Sequence, residues 1–232
     1  MADTLETQSR DSGQAQGVRQ INSMAAFGSR IDSYIVPDFE TLNRQLLEEV
    51  AALQAGDEGI KSSNQFGWHS QRDFFAREEP AFRTLRGHIR SALTQSVRRY
   101  WKGFDPLVHK TSCDGWINVN GRGGFNTPHD HAIHDLSGCY YVSTPHRSEH
   151  SGGMIEFLNP AGAYSPTRPF SEMLLQRRIT ARPKAGHMLI FPSYMVHWVY
   201  PNQEDEDRVT IAFNLSVLES KERIDAAQAA AG

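Results

Sequence analysis

Cysteine is scarce in this sequence, and long apolar runs are absent from it. The 232 residues include only Cys113 and Cys139, too few to suggest a disulfide framework. No apolar run approaches the roughly 20 residues that span a bilayer. The stretch from Met1 to Arg19 is polar and lacks the apolar core of a signal peptide. We therefore expect a cytoplasmic protein.

The sequence also lacks a strong excess of charge of either sign. Its net charge of -3 argues against a nucleic-acid surface or an anionic-membrane patch. Apolar residues make up 39% and charged residues 22%, as in ordinary globular proteins. A cytosolic enzyme fits these values, as would many other proteins, and we expect a small-molecule substrate rather than a nucleic acid or a membrane. The values leave the oligomeric state open, and exposed strand edges would allow a homodimer.

The chain divides into a helical part and a part rich in short strands. Residues 1–30 are rich in Ser, Gln, Gly and Ala and predict a flexible N-terminal arm. Apolar residues at three-to-four spacing predict a helix from Pro37 to Ala55, and a second helix from Pro80 to just before Gly103. Short apolar runs separated by Gly and Pro follow. They predict strands at Trp116–Asn120, Ser137–Val142, Met154–Leu158, Leu175–Arg182, His187–Phe191, His197–Tyr200 and Arg208–Leu218.

Helices first and strands after indicate an α+β fold, a jelly roll with the N-terminal helices packed on one sheet. We expect a single domain over residues 31–218. It comprises a helical buttress at 36–103 and a β-core at 111–218, and residues 219–232 form a tail.

The stretch most suggestive of chemistry is Thr127-Pro-His-Asp-His-Ala132. On an extended segment His129 and His131 face the same way, and two imidazoles on one face are half of a metal site. The other interpretation is a pair of hydrogen-bonded surface histidines. His197, which opens a later strand, is the best candidate for a third ligand.

Arg208 is the candidate partner of an anion. We interpret His197 to Arg208 as a hairpin, which makes these two residues cross-strand neighbours. Arg208 and Thr210 then face the histidines, whereas Val209 and Ile211 face the helix-covered core. A buried arginine needs an anion, and a carboxylate is the natural one. The alternative is a surface arginine paired with the acidic loop at residues 201–207.

The combined motifs resemble the iron(II)/2-oxoglutarate-dependent oxygenases, and within them a family of short oxygenases with an H-x-H...H motif. The resemblance covers roughly Gly67 to Val217. It rests on Gly67-Trp68-x-Ser70, Trp116-Ile117-Asn118-Val119, His129-x-His131, Ser137-Gly138-x-x-Tyr141-Val142, Phe191-Pro192-Ser193, His197-x-Val199-x-Pro201-Asn202 and Arg208-x-Thr210-x-x-Phe213-Asn214.

The resemblance implies a double-stranded β-helix whose catalytic iron(II) is held by His129, His131 and His197. It implies that 2-oxoglutarate chelates the iron and anchors its far carboxylate on Arg208 and Thr210. It makes Asn118 and Tyr141 plausible further contacts to the cosubstrate. The implied activity is that of a dioxygenase, which uses O2 to hydroxylate a substrate and releases succinate and CO2.

One feature departs from the wider superfamily, in which an Asp or Glu stands where this chain has His131. A local bulge would let Asp130 serve as the ligand instead, and Asp135 is a more remote option. Two other functions also stay open. One is a three-histidine cupin-type dioxygenase that needs no 2-oxoglutarate, and the other is a non-catalytic metal-binding cupin.

Substrate recognition is expected in loops near the strand ends. The candidates are Gly121–Phe125, Thr144–Gly153 and Pro160–Glu172. Within the second loop, His146, Arg147 and His150 would suit an acidic or amino-acid-like substrate.

Overall fold

Two antiparallel sheets face each other, and two helices cover the outer side of the larger sheet. The computed structural model describes residues 17–26, 29–145, 152–160 and 177–218. In chain order its elements are β1 Arg19–Ala26, β2 Ser29–Ile35, α1 Phe39–Gly56, β3 Asn64–Gln65, β4 Trp68–His69, α2 Pro80–Tyr100, β5 Lys110–Asn120, β6 Phe125–His129, β7 Leu136–Ser143, β8 Ile155–Leu158, β9 Arg178–Ala181, β10 His187–Pro192, β11 His197–Val199 and β12 Arg208–Leu218. A short 3-10 helix, Phe74–Ala76, precedes α2.

The larger sheet has the strand order β1-β2-β10-β7-β12-β5-β4, and the smaller sheet has the order β3-β6-β11-β8-β9. Two packed sheets of this kind, with helices on one outer face, are the double-stranded β-helix that the sequence predicts. The helices among the described residues are too short or too polar to cross a membrane.

The core has two parts, one on each face of the larger sheet. Helices α1 and α2 bury their apolar stripes against the outer face, where they meet Val209, Ile211 and Phe213 of β12. A smaller cluster occupies part of the space between the sheets and includes Phe157 and Phe191. The helices therefore buttress one sheet, as expected, and the gap between the sheets remains for a site.

Both helices form close to where the periodicity predicts them. Helix α1 begins after Asp38 and ends at Gly56, one residue beyond the predicted end. Helix α2 begins with Pro80 at its first turn, where the missing N–H costs nothing. Leu47 of α1 is exposed because its direction falls outside the narrow face that contacts the sheet.

The expectation of a flexible arm at residues 1–30 is wrong for its second half. Residues 19–26 form β1, and β2 begins at Ser29 and pairs with β10 of the larger sheet. A buried carboxylate fastens this hairpin, since Asp32 accepts hydrogen bonds from Ser23 and from Ser96 of α2. Residues 1–16 and the tail at 219–232 lie outside the described part of the chain.

The predicted hairpin between His197 and Arg208 is also wrong. His197 lies in β11 of the smaller sheet, and Arg208 opens β12 of the larger one. The intervening segment crosses between the sheets and is fastened by Asn202, whose side-chain amide donates to the carbonyl oxygens of Asn120 and Glu206 at 3.0 and 2.8 Å. His197 and Arg208 thus face the same interior from opposite sheets.

Candidate active site

Three histidines converge at one end of the space between the sheets. His129 ends β6 and pairs directly with His197 of β11, and His131 follows two residues later in the turn before β7. The ring centres of His129 and His197 are 4.4 Å apart, and the His131 ring lies 5.0 Å from the first and 5.4 Å from the second. One ligand nitrogen from each ring lies within 4.8 Å of the others, so the group could hold a metal ion.

The electrostatics of the cluster favour neutral imidazoles. Burial lowers the pKa of His129, and burial together with the neighbouring His129 lowers the pKa of His131 and of His197 to about 3. Neutral rings keep the lone pair that a metal requires. Two tautomers are also fixed, because His129 and His197 donate from Nδ1 to the carbonyl oxygens of Thr127 and Met195.

The two alternative carboxylate ligands do not join this cluster. Asp130 is exposed and accepts a hydrogen bond from the backbone N–H of Ala132. Asp135 accepts from the backbone N–H of Val217 at 2.7 Å. Among the described residues, the group with metal-ligand geometry consists of histidines alone.

Arg208 reaches the same cavity from the opposite sheet. Its side chain is only 3% exposed, which excludes the surface arginine that had been an alternative. It donates from Nε to the carbonyl oxygen of Gly153 at 3.1 Å and contacts the Thr210 hydroxyl at 3.5 Å. No carboxylate of the described residues forms an ion pair with it. Because a buried and unpaired guanidinium is costly, this end of the cavity is suited to an anion.

Asn118 and Tyr141 flank Arg208 as the strand parity predicts. Asn118 lies opposite Thr210 on the neighbouring strand and lines the cavity. The guanidinium carbon of Arg208 lies 5.5 Å from the centre of the Tyr141 ring. The Tyr141 hydroxyl and the Asn118 Oδ1 are buried and, within the described residues, have no hydrogen-bond partner. These unpaired atoms are available to a bound ligand.

The structure adds site residues that the sequence analysis did not weigh. The indole of Trp116 lines the cavity beside His131, and the ring of His69 stacks on that indole. Gly153 carries the carbonyl that accepts from Arg208. Trp116 has the same strand parity as Asn118, which could have located it in the sequence, but the role of His69 depends on a tertiary contact.

The three predicted substrate loops are only partly described. Gly121–Phe125 includes a tight turn in which Gly123 donates its backbone N–H to the carbonyl oxygen of Asn202 at 2.7 Å. The loop at 144–153 is described only at its ends, so His146, Arg147 and His150 lie outside the described residues, as does nearly all of 160–172.

Comparison with known proteins bears on this geometry. Residues 114–214, which include all three histidines and Arg208, match the family described as "Putative 2OG-Fe(II) oxygenase". The chain resembles the iron(II)/2-oxoglutarate-dependent oxygenases. The matched family is one of 2OG-Fe(II) oxygenases, for which Fe(II) and 2-oxoglutarate are the implied cofactors. No curated protein matches the sequence.

Three solved structures share the fold at low sequence identity. A Pseudomonas putida prolyl-4-hydroxylase superposes with a TM-score of 0.54 at 15% identity, over 88% of this chain and 94% of that one. The non-heme alpha ketoglutarate dependent epimerase SnoN from nogalamycin biosynthesis gives 0.56 at 16% identity, over 80% and 76%. The viral collagen prolyl hydroxylase from Paramecium Bursaria Chlorella virus-1, solved with 2OG, gives 0.51 at 14%, over 80% and 94%.

The donor set of the cavity fits both implied groups. Three neutral imidazoles at one end suit iron(II). At the other end, the guanidinium of Arg208, the Thr210 hydroxyl and the unpaired Tyr141 hydroxyl suit a carboxylate. The cavity between them holds about 500 Å³ of space, part of it open to solvent.

Proposed function

We propose that this protein is an Fe(II)- and 2-oxoglutarate-dependent dioxygenase that hydroxylates a small molecule and releases succinate and CO2. The observation that carries the proposal is Arg208, a buried guanidinium without a carboxylate partner among the described residues, facing the same cavity as the three histidines. A metal site alone would not require this cation. A chelating keto acid with a second carboxylate requires both.

His129, His131 and His197 would hold the iron through their neutral rings. With 2-oxoglutarate and O2, the bound iron supplies the oxidising chemistry. His129 and His197 face it in a fixed tautomer, because each donates its Nδ1 proton to a backbone carbonyl. Phe157 and Phe191 pack around the His197 ring and exclude water from that side.

Arg208 and Thr210 would hold the far carboxylate of 2-oxoglutarate. The Nε of Arg208 is committed to the Gly153 carbonyl, which fixes the plane of the guanidinium and leaves its other N–H groups for a bidentate contact. Tyr141 and Asn118 supply a hydroxyl and an amide beside it. The cavity between the sheets and the net charge of -3 favour a small molecule over a nucleic acid as the primary substrate.

The direct test is 2-oxoglutarate binding to the Fe(II)-loaded protein under anaerobic conditions. Removing one partner of a buried charge pair costs about 2–5 kcal/mol. Arg208→Ala should therefore weaken 2-oxoglutarate binding by at least about 30-fold. Arg122→Ala is the matched control, since Arg122 pairs with Asp205 at the surface, and it should bind like the wild type.

Two results would contradict the proposal. Equal 2-oxoglutarate affinity in Arg208→Ala and the wild type would show that Arg208 does not bind the far carboxylate. Oxygen consumption that needs no 2-oxoglutarate and forms no succinate would instead indicate a three-histidine cupin-type dioxygenase. A metabolite screen scored by succinate release would identify the primary substrate.

A further inference from the structure

The three histidines differ in what holds each ring. His129 and His197 each donate from Nδ1 to the carbonyl oxygen two residues earlier in the chain, at 2.6 and 2.9 Å. Among the described residues, neither ring nitrogen of His131 has a hydrogen-bond partner. Its backbone is fixed, because the His131 N–H donates to the Ser193 carbonyl oxygen at 2.9 Å. The direction of the His131 ring therefore depends on packing.

The aromatic neighbour that packs on His131 from outside the triad is Trp116. The two ring centres are 5.7 Å apart at an angle of 49°. Trp116 lies on β5 with its side chain toward the cavity and is 5% exposed. Its partner on β12 is Ala212, whose small side chain leaves room for the indole beside the histidine.

Trp116 itself contacts two other groups. The His69 ring stacks on it at 5.5 Å and 11°, and the guanidinium carbon of Arg72 lies 4.9 Å from the centre of the indole. His69 is 1% exposed, and its Nδ1 donates to the Ser70 carbonyl oxygen at 2.6 Å, so it provides a fixed surface. The packing against His131 thus comes from a rigid stack rather than from a mobile side chain.

We infer that packing on Trp116 positions His131, whereas a hydrogen bond positions each of the other two histidines, and that His131 is therefore the most exchangeable of the three ligands. The inference rests on the proposed function. A hydrogen bond restricts both the tautomer and the direction of a ring, whereas packing restricts the direction alone. His131, like His129, is partly exposed, whereas His197 is 6% exposed. An external ligand can reach the position of His131 more easily than that of His197.

The first experiment measures Co(II) binding to the full chain without 2-oxoglutarate, by the visible absorption of the bound ion. Loss of a group that orients a ligand lowers metal affinity about 10- to 100-fold. Trp116→Leu should lower the Co(II) affinity about tenfold and alter the spectrum of the bound ion. Trp116→Phe should lower the affinity by a smaller factor. Trp198→Leu is the matched control, because Trp198 adjoins His197 on the opposite face of β11. It should keep the wild-type affinity and spectrum.

The second experiment tests exchange by chemical rescue. His131→Gly and His197→Gly are titrated with Co(II) in the presence and absence of free imidazole. Imidazole should restore most of the lost affinity in His131→Gly and little of it in His197→Gly, whose vacated space is enclosed by Phe157 and Phe191.

The outcomes separate this inference from the proposed function. Failure of the wild type to bind Co(II) or Fe(II) would overturn both. If the wild type binds but Trp116→Leu has the same affinity and spectrum, only the positioning role is lost. Should Trp116→Leu fail to fold by circular dichroism, Trp116→Phe decides the question. Equal rescue of the two glycine variants would overturn the exchangeability of His131.

Discussion

At the scale of single residues, Gly153 contacts Arg208, which is proposed to bind the far carboxylate of 2-oxoglutarate. Its carbonyl oxygen accepts from Arg208 Nε, and its backbone has a φ of +67°, a conformation that L side chains rarely adopt. A Cβ at this position would lie 3.2 Å from Arg208 Cδ. The glycine therefore both orients the arginine and leaves room for it.

Gly153→Ala should weaken 2-oxoglutarate binding by about tenfold, because the added methyl crowds the arginine, and should cost about 1 kcal/mol of stability through the positive φ. Gly123→Ala is the control, since Gly123 has a φ of +81° but no atom within 4 Å of its added Cβ. It should show a similar loss of stability with unchanged affinity. Isothermal titration and thermal unfolding measure the two effects. Equal affinities in the two variants would contradict the role given to Gly153.

The sequence located the main residues of the site, although one step of the reasoning was wrong. Arg208 and Thr210 were placed inward through a hairpin with His197 that the structure does not contain. Their alternation with Val209 and Ile211 gives the same parity whichever strand pairs with β12. The supposed hairpin with His197 was not needed. Gly153 and His69 were missed because their roles arise from contacts across the fold.

At the scale of elements, a carboxylate of α1 caps the N-terminus of α2. The carboxylate of Glu49 in α1 accepts from the backbone N–H groups of Ala81 and Phe82 at 2.9 and 3.0 Å, in the first turn of α2. No side chain at the residue preceding α2 makes such a bond. A distant residue thus satisfies donors that would otherwise be left without partners.

Glu49→Gln should lower the free energy of unfolding by about 1 kcal/mol, because the amide keeps one acceptor and loses the negative charge at the N-terminus of α2. Glu48→Gln, an exposed change on the same helix, is the control and should be near neutral. Urea denaturation compares the two variants. A larger loss in Glu48→Gln than in Glu49→Gln would refute the cap.

The sequence predicted helix and strand boundaries most accurately where the local hydrophobic pattern was strongest. The strongly periodic helices and β12 were predicted within a few residues. Strand β6 was missed because Pro128, which has no N–H for a ladder, interrupts it. Strands β1 and β2 were missed because their polar composition resembles a disordered arm. Their order comes from long-range pairing with β10 and from the buried Asp32.

At the scale of the whole molecule, the site joins the two sheets, so a bound metal should stabilise the entire fold. His129 and His197 belong to the smaller sheet, and His131 is hydrogen-bonded through its backbone to the segment after β10 of the larger sheet. Binding that favours the folded state adds about 2.7 kcal/mol at a ligand concentration about 100 times Kd.

Co(II) at that concentration should therefore raise the Tm by roughly 5–10 °C for a chain of this size. In His197→Ala the same addition should leave the Tm nearly unchanged, because the buried ligand of the triad is gone. Differential scanning calorimetry gives both values. An equal rise in His197→Ala would place the metal elsewhere.

Under the proposed function, the crossing segment between β11 and β12 has a consequence for which keto acids the protein would accept. It connects the histidine at one end of the cavity to the arginine at the other, and Asn202 fastens it part-way along. Asn202 thereby helps to fix the distance between the His197 ring and the Arg208 guanidinium. A keto acid one methylene longer than 2-oxoglutarate would have to bind in a bent conformation. A keto acid one methylene shorter would not reach Arg208. The protein would therefore select keto acids by their chain length.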